Sequence, residues 1–173
     1  MKKQSLLELL ILAQLAAIMF VLKMAMAALP NLEPVSLLII VYTLVFGRKA
    51  LYAVYIYVGL ELLVWGIGLW NINYLYVWLI LHLLTRVFRR MESRLGWAVL
   101  SGAFGLSFGL LCFPVYAAAG GWAYGVSSWI SGIPYDLLHC AGNFAIAFCL
   151  QKPLTQALEK LKVRFLPTNR PSL

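Results

Sequence analysis

Residues 6–28 read LLELLILAQLAAIMFVLKMAMAA, an apolar run that continues past Lys23 and meets its first proline only at Pro30. As a helix rising 1.5 Å per residue it spans roughly 35 Å, enough to cross a hydrocarbon core of about 30 Å. Lys2 and Lys3 ahead of it imitate a secretory signal, but there is no early small-residue cleavage site, so the run is read as a retained first helix. The same character extends through the chain. Of its 173 residues 63% are hydrophobic and 12% are charged, with a mean hydropathy of +0.87, whereas a soluble domain is about half apolar and about a quarter charged. A soluble globule is excluded. The expected fold class is an all-α integral membrane protein, with residues 1–173 forming one membrane domain.

Outward from the first run, apolar segments and their breaks predict six transmembrane helices, at about 6–28, 35–46, 50–68, 74–89, 97–117 and 134–151. Pro30 and Pro34 bracket the first loop, Gly47 precedes Arg48 and Lys49, and Asn71 and Asn73 interrupt the third and fourth spans. The second helix is short. Between Ala118 and Pro134 lies a long segment rich in Gly, Ser and aromatics, expected to hold at most a short re-entrant or interfacial helix.

The charge balance, 14 Lys+Arg against 6 Asp+Glu for a net +8, would point to nucleic acid in a soluble protein. Here it sets topology instead, and no nucleic-acid partner is expected. With the N-terminus in the cytoplasm, every Lys and Arg except Lys23 falls on the cytoplasmic side. The outer loops 29–34, 69–73 and 118–133 carry none, so both termini are expected to be cytoplasmic. Residues 152–173 form a basic tail in which Leu154, Leu158 and Leu161 suggest an amphipathic helix on the anionic inner leaflet; a partly disordered tail is the other reading.

Charges inside a bilayer cost about 2.5–3.5 kcal/mol on insertion scales, which makes each one a functional candidate. Lys23 sits about 7 Å inside the outer end of its helix and Glu61 about 10 Å. Asp136, His139 and Asn143, at i, i+3 and i+7, share one face of the sixth helix. Each has a plainer alternative: snorkelling for Lys23, a structural ion pair or protonated carboxyl for Glu61, an N-terminal or first-turn charge for Asp136, and interhelical hydrogen-bond glue for the whole face. His82, near the middle of the fourth span, reads as a packing residue.

Trp65, Trp70, Tyr74, Tyr76, Trp78, Trp122, Tyr124, Trp129 and Tyr135 gather on the outer side, as an interfacial belt does. Trp122, Tyr124 and Trp129 lie above the polar face, where a lid over a flat ligand is the functional alternative. The substrate-binding candidates are Lys23, Glu61, Trp65, Trp122, Trp129, Asp136, His139 and Asn143. Ala13 and Ala17, with Ala16 beside them, form a small-residue stripe suited to a partner subunit or to packing within the chain. A second stripe, Ser101, Gly105 and Gly109, is expected to pack within the chain.

Cys112, Cys140 and Cys149 show neither CxxC nor Cys/His ligand spacing, so no disulfide framework, metal site or cofactor is indicated. The chain contains no GxxxxGK[ST] phosphate loop and no HExxH. Gly105-Leu106-Ser107-Phe108-Gly109 matches GxSxG, but that motif needs a strand–turn–helix elbow, and the stretch is expected in mid-helix. Ser107 with His139 leaves an intramembrane serine protease as a minor reading.

Taken together, these residues resemble the substrate-specific (S) component of an energy-coupling factor (ECF) transporter, the vitamin-uptake branch of the ABC transporters. The resemblance covers almost the whole chain. It is closest at Ala28-Leu29-Pro30-Asn31 running into Val35–Gly47, and from Gly132-Ile133-Pro134-Tyr135-Asp136 through His139 and Gly142-Asn143-Phe144 to Lys152-Pro153-Leu154. It implies a non-catalytic chain that captures a vitamin or related micronutrient at the outer surface. A transmembrane coupling subunit and two ATPase subunits would then topple it in the bilayer to release the solute inside. It also implies that Ala13 and Ala17 meet the coupling subunit, and that Asp136, His139 and Asn143 occupy the solute-binding part of the sixth helix. On this reading Lys23 pairs with a ligand carboxylate or phosphate, Glu61 and Asp136 accept donors, and His139 and Asn143 orient the solute. A polar ring-bearing micronutrient, a cobalamin and a pantothenate-like acid all stay open. The alternative from another class is a structural membrane protein resembling the cell-shape factor MreD.

Overall fold

An apolar chain must satisfy its backbone N–H and C=O groups internally, and a helix does so without outside help. The computed structural model, which describes residues 6–27 and 34–166, is accordingly helical, with no strand among the described residues. Its elements are α1 (Leu6–Ala25), α2 (Val35–Phe46), a 3₁₀ turn (Gly47–Lys49), α3 (Ala50–Trp65), α4 (Leu69–Val87), α5 (Arg94–Leu106), α6 (Phe108–Gly120) and α7 (Trp122–Phe165). Four helical stretches are long and apolar enough to cross a membrane: Leu6–Ala25, Val35–Trp65, Arg94–Gly120 and Trp122–Phe165. The second of these joins α2 to α3 and the third joins α5 to α6.

Several expected boundaries move. The segment 118–133 is helix rather than loop: α6 runs to Gly120 and α7 starts at Trp122, separated only by Gly121, whose φ of +86° favours a residue without a Cβ. The last span therefore begins at 122 instead of 134, and α7 continues for 44 residues to Phe165, carrying the basic segment with it. Pro134 and Pro153 lie inside this helix. Each removes one backbone donor, and the 134–153 stretch between them is roughly 30 Å long, one hydrocarbon thickness. The span expected at 97–117 is broken at Ser107, so GxSxG sits at the α5–α6 junction, not in mid-helix. Asn71 and Asn73 interrupt nothing: both are buried in the first turns of α4, where Asn71 Oδ1 accepts the Gly68 N–H at 2.6 Å. Pro30 and the end of the basic tail lie outside the described residues.

A helix that is apolar all round belongs in the middle of its fold. α2 is that helix: every residue except Leu44 is buried, and α1, α3, α4, α5 and α7 surround it. Its few polar groups each reach a different neighbour. Tyr42 donates to Leu15 O at 3.1 Å, Thr43 Oγ1 lies 2.9 Å from His82 Nδ1, and Ser36 Oγ accepts from Asn143 Nδ2 at 3.1 Å. The last carbonyls of α2 need partners that the helix itself lacks, and Lys162 of α7 donates to Val45 O at 2.5 Å.

α1 and α3 run in the same direction. Glu8 pairs with Lys49 near the start of both, and Lys23 pairs with Glu61 near the end of both. The second pair defines one end of the bundle, hereafter the Lys23 end, and the first defines the Lys49 end.

Candidate functional site

At the Lys23 end, burial of Glu61 (0% exposed) would leave a carboxylate in apolar surroundings without compensation. Lys23 Nζ meets its Oε2 at 2.5 Å and lies 3.4 Å from the Tyr74 hydroxyl. The ammonium is also ringed by Tyr57, Trp70 and Tyr74, with ring centroids at 6.0, 5.9 and 5.2 Å, the arrangement of a cation–π cage. Two residues singled out separately in the sequence thus neutralise each other. Glu61 Oε1 is buried with no hydrogen-bond partner among the described residues.

Trp70 and Tyr74 present their rings to a second feature as well. Between α4, α6 and α7 lies a cavity of about 230 Å³, lined by Trp70, Asn73 and Tyr74 from α4, Phe108, Cys112 and Tyr116 from α6, and Trp129, Tyr135 and Asp136 from α7, among others. Among the described residues, Asp136 is the only charged one in its lining. That side chain is 5% exposed, and its two oxygens lie 3.1 and 3.2 Å from the Gly109 N–H at the start of α6. Asp136 is therefore not a first-turn charge of its own helix, since α7 begins at Trp122; it caps a different helix across the cavity wall. The Tyr76 hydroxyl lies 3.0 Å from Asn73 Oδ1 and 2.6 Å from Leu111 O, tying α4 to α6 on the same wall.

Deeper along α7, His139 packs edge-on against the cavity residue Phe108, with centroids 5.1 Å apart. Both of its ring nitrogens are buried without a hydrogen-bond partner among the described residues, as are Trp78 Nε1 and Ser101 Oγ. Asn143, one turn further, donates to Ser36 Oγ at 3.1 Å and to Ser101 O at 3.3 Å, so its amide joins α2, α5 and α7. The small residues opposite make room for this approach. A Cβ at Gly105 would lie 2.8 Å from His139 O, and one at Gly102 would lie 3.3 Å from Cys140 O. The Ser101, Gly105, Gly109 stripe packs inside the chain.

The sequence candidates therefore separate. Trp129 and Asp136 line the cavity, Lys23 and Glu61 stand behind its Trp70 and Tyr74 wall, and His139 and Asn143 lie below it. Trp65 is 56% exposed at the end of α3 and does not line it. Trp122 is 73% exposed, sets its edge against Phe113 and faces a separate open groove with Val126 and Ile130. Tyr124 packs on Tyr116. Of the three aromatics expected to form a lid, only Trp129 borders the cavity, because the segment bearing them is helix and points them in different directions. Ala17 is exposed and Ala13 half-buried, while Ala16 is fully buried against the core.

Sequence reasoning missed Trp70, Asn73 and Tyr74 as one wall. Their i, i+3, i+4 spacing is the signal, and it was hidden by starting the fourth helix at 74 instead of 69. Ser107 Oγ donates to Ala103 O at 2.8 Å, and no hydrogen bond joins it to His139 among the described residues. No family model matches the chain, and no curated protein or solved structure shows a significant match to it.

Proposed function

We propose that this chain is a non-catalytic, membrane-embedded solute-capture subunit, of the kind that serves as the S component of an ECF-type transporter. One observation carries the reading: an aromatic-walled cavity of about 230 Å³ near the Lys23 end, whose lining among the described residues includes one buried carboxylate, Asp136. Ligand sites usually take this form, apolar walls with a few convergent polar groups. The distribution of Lys and Arg supports six spans with both termini in the cytoplasm, which puts the Lys23 end outside and the cavity where a solute arrives. Ala17 exposed on the outer face of α1, with Ala13 half-buried beside it, supports docking of a transmembrane coupling subunit, with two ATPase subunits supplying the energy. The cavity's size suits a small ring-bearing micronutrient and is far below what a cobalamin needs.

Native mass spectrometry of the detergent-purified protein against a vitamin panel tests this, with one retained ring compound as the expected result. Asn143 bridging α2, α5 and α7 and the Thr43–His82 contact favour a second reading, in which polar groups serve only as interhelical glue in a structural protein resembling MreD. Absence of any adduct from the whole panel would select that second reading. The protease reading has less support, since Ser107 is tied to its own helix; unchanged biological activity of Ser107→Ala would dismiss it.

A further inference from the structure

We infer that the cavity between α4, α6 and α7 selects a small organic cation, a quaternary ammonium or an N-alkylated aromatic ring, over neutral and anionic solutes of the same shape. The inference rests on the capture reading and adds the solute's charge. Its first support is electrostatic: among the described residues, Asp136 is the only charged one in the lining, and no Lys or Arg lines the cavity. Lys23, whose ammonium lies against Trp70 and Tyr74, is already paired with Glu61 at 2.5 Å. An anion would therefore meet a carboxylate with no counter-charge among the described lining residues.

The second support is the acceptor capacity of Asp136. An ionised carboxylate offers about four lone-pair sites, whereas both of its oxygens share one donor, the Gly109 N–H. No other hydrogen bond takes up the rest of that capacity among the described residues, and Asp136 lines the cavity. A third support is the wall itself. Trp70, Tyr74, Phe108, Tyr116, Trp129 and Tyr135 surround the space, and aromatic faces attract cations, most strongly where water is excluded. Trp70 and Tyr74 already do this for Lys23, at 5.9 and 5.2 Å. Size limits the solute further: a cavity of about 150 Å³ holds benzene, so 230 Å³ takes one ring with small substituents.

The experiment uses three probes of one shape on the full chain in lipid nanodiscs, read by calorimetry and tryptophan fluorescence. They are 1-methylnicotinamide (a cation), 3-methylbenzamide (its neutral carbon isostere) and 3-methylbenzoate (an anion). The cation is expected to bind about tenfold more tightly than the amide, with the benzoate weakest. Asp136→Asn is expected to remove most of that preference, read as the ratio of cation to amide affinity. Because Asp136 also holds the start of α6, Trp129→Leu provides a second variant, expected to weaken the cation more than the amide. Equal or tighter binding of the amide or the benzoate overturns the inference and leaves solute capture intact. So does binding of a vitamin-panel compound when none of the three probes binds. Failure of every probe and of the whole panel removes both.

Discussion

A lysine near the end of an isolated apolar helix reaches headgroup water by extending its side chain. Lys23 instead turns to Glu61, because α3 lies parallel to α1 and brings a fully buried carboxylate to the same height. Removing one member of a buried pair leaves the other charged and unsatisfied, whereas removing both can be nearly neutral. Lys23→Met is therefore expected to destabilise the protein by about 3 kcal/mol. The double variant Lys23→Met, Glu61→Met should recover most of that loss, as measured by thermal unfolding in detergent. A double variant no better than the single one would show that the two side chains act independently. The sequence disclosed both charges as costly in a bilayer; that each was the other's answer depended on two helices meeting.

Between helices, α5 approaches α7 closely where glycines stand in for side chains. A Cβ at Gly105 would lie 2.8 Å from His139 O, a backbone atom that cannot swing aside, while one at Gly59 has nothing within 4 Å. Gly105→Ala is expected to cost about 1–3 kcal/mol through overpacking. Gly59→Ala should be neutral or gain up to about 1 kcal/mol from helix propensity. Opposite shifts in melting temperature for the two variants are the check. α2 supplies another test at this scale. Its terminal carbonyl on Val45 is held by Lys162, more than a hundred residues away in sequence. Lys162→Met should cost about 1 kcal/mol, and hydrogen exchange should rise at the end of α2 more than at its start. The periodicity of α5 and α7 announced helices, but not which glycine met which carbonyl.

For the molecule as a whole, the proposed topology puts the start of α7 outside and its end inside, with the 134–153 stretch between two prolines crossing the bilayer. In a background with Cys112, Cys140 and Cys149 replaced, Ala123→Cys should react with a membrane-impermeant maleimide in intact cells. Lys160→Cys should react only after permeabilisation. Labelling of both from one side would refute a crossing by α7. The cavity belongs to this scale as well, since its walls come from three helices, of which α4 is separated from α6 and α7 by the whole of α5.

Apolar composition by itself determined that the backbone must close its own hydrogen bonds, and the long uninterrupted apolar runs that it does so as helix. Residue types likewise marked Lys23, Glu61, Asp136, His139 and Asn143 as groups that a bilayer does not leave unaccompanied. Both inferences need only local physics, the cost of bare peptide groups and of bare charges in an apolar solvent. The companions were decided by tertiary structure. Asp136 caps α6, Asn143 links Ser36 to Ser101, and Trp129 borders a cavity from which Trp65 and Trp122 are absent. Spacing along one helix specifies a face, while a site requires three helices to present faces to a common volume. That depends on crossing points set by small residues, helix breaks and buried pairs distributed over the whole chain.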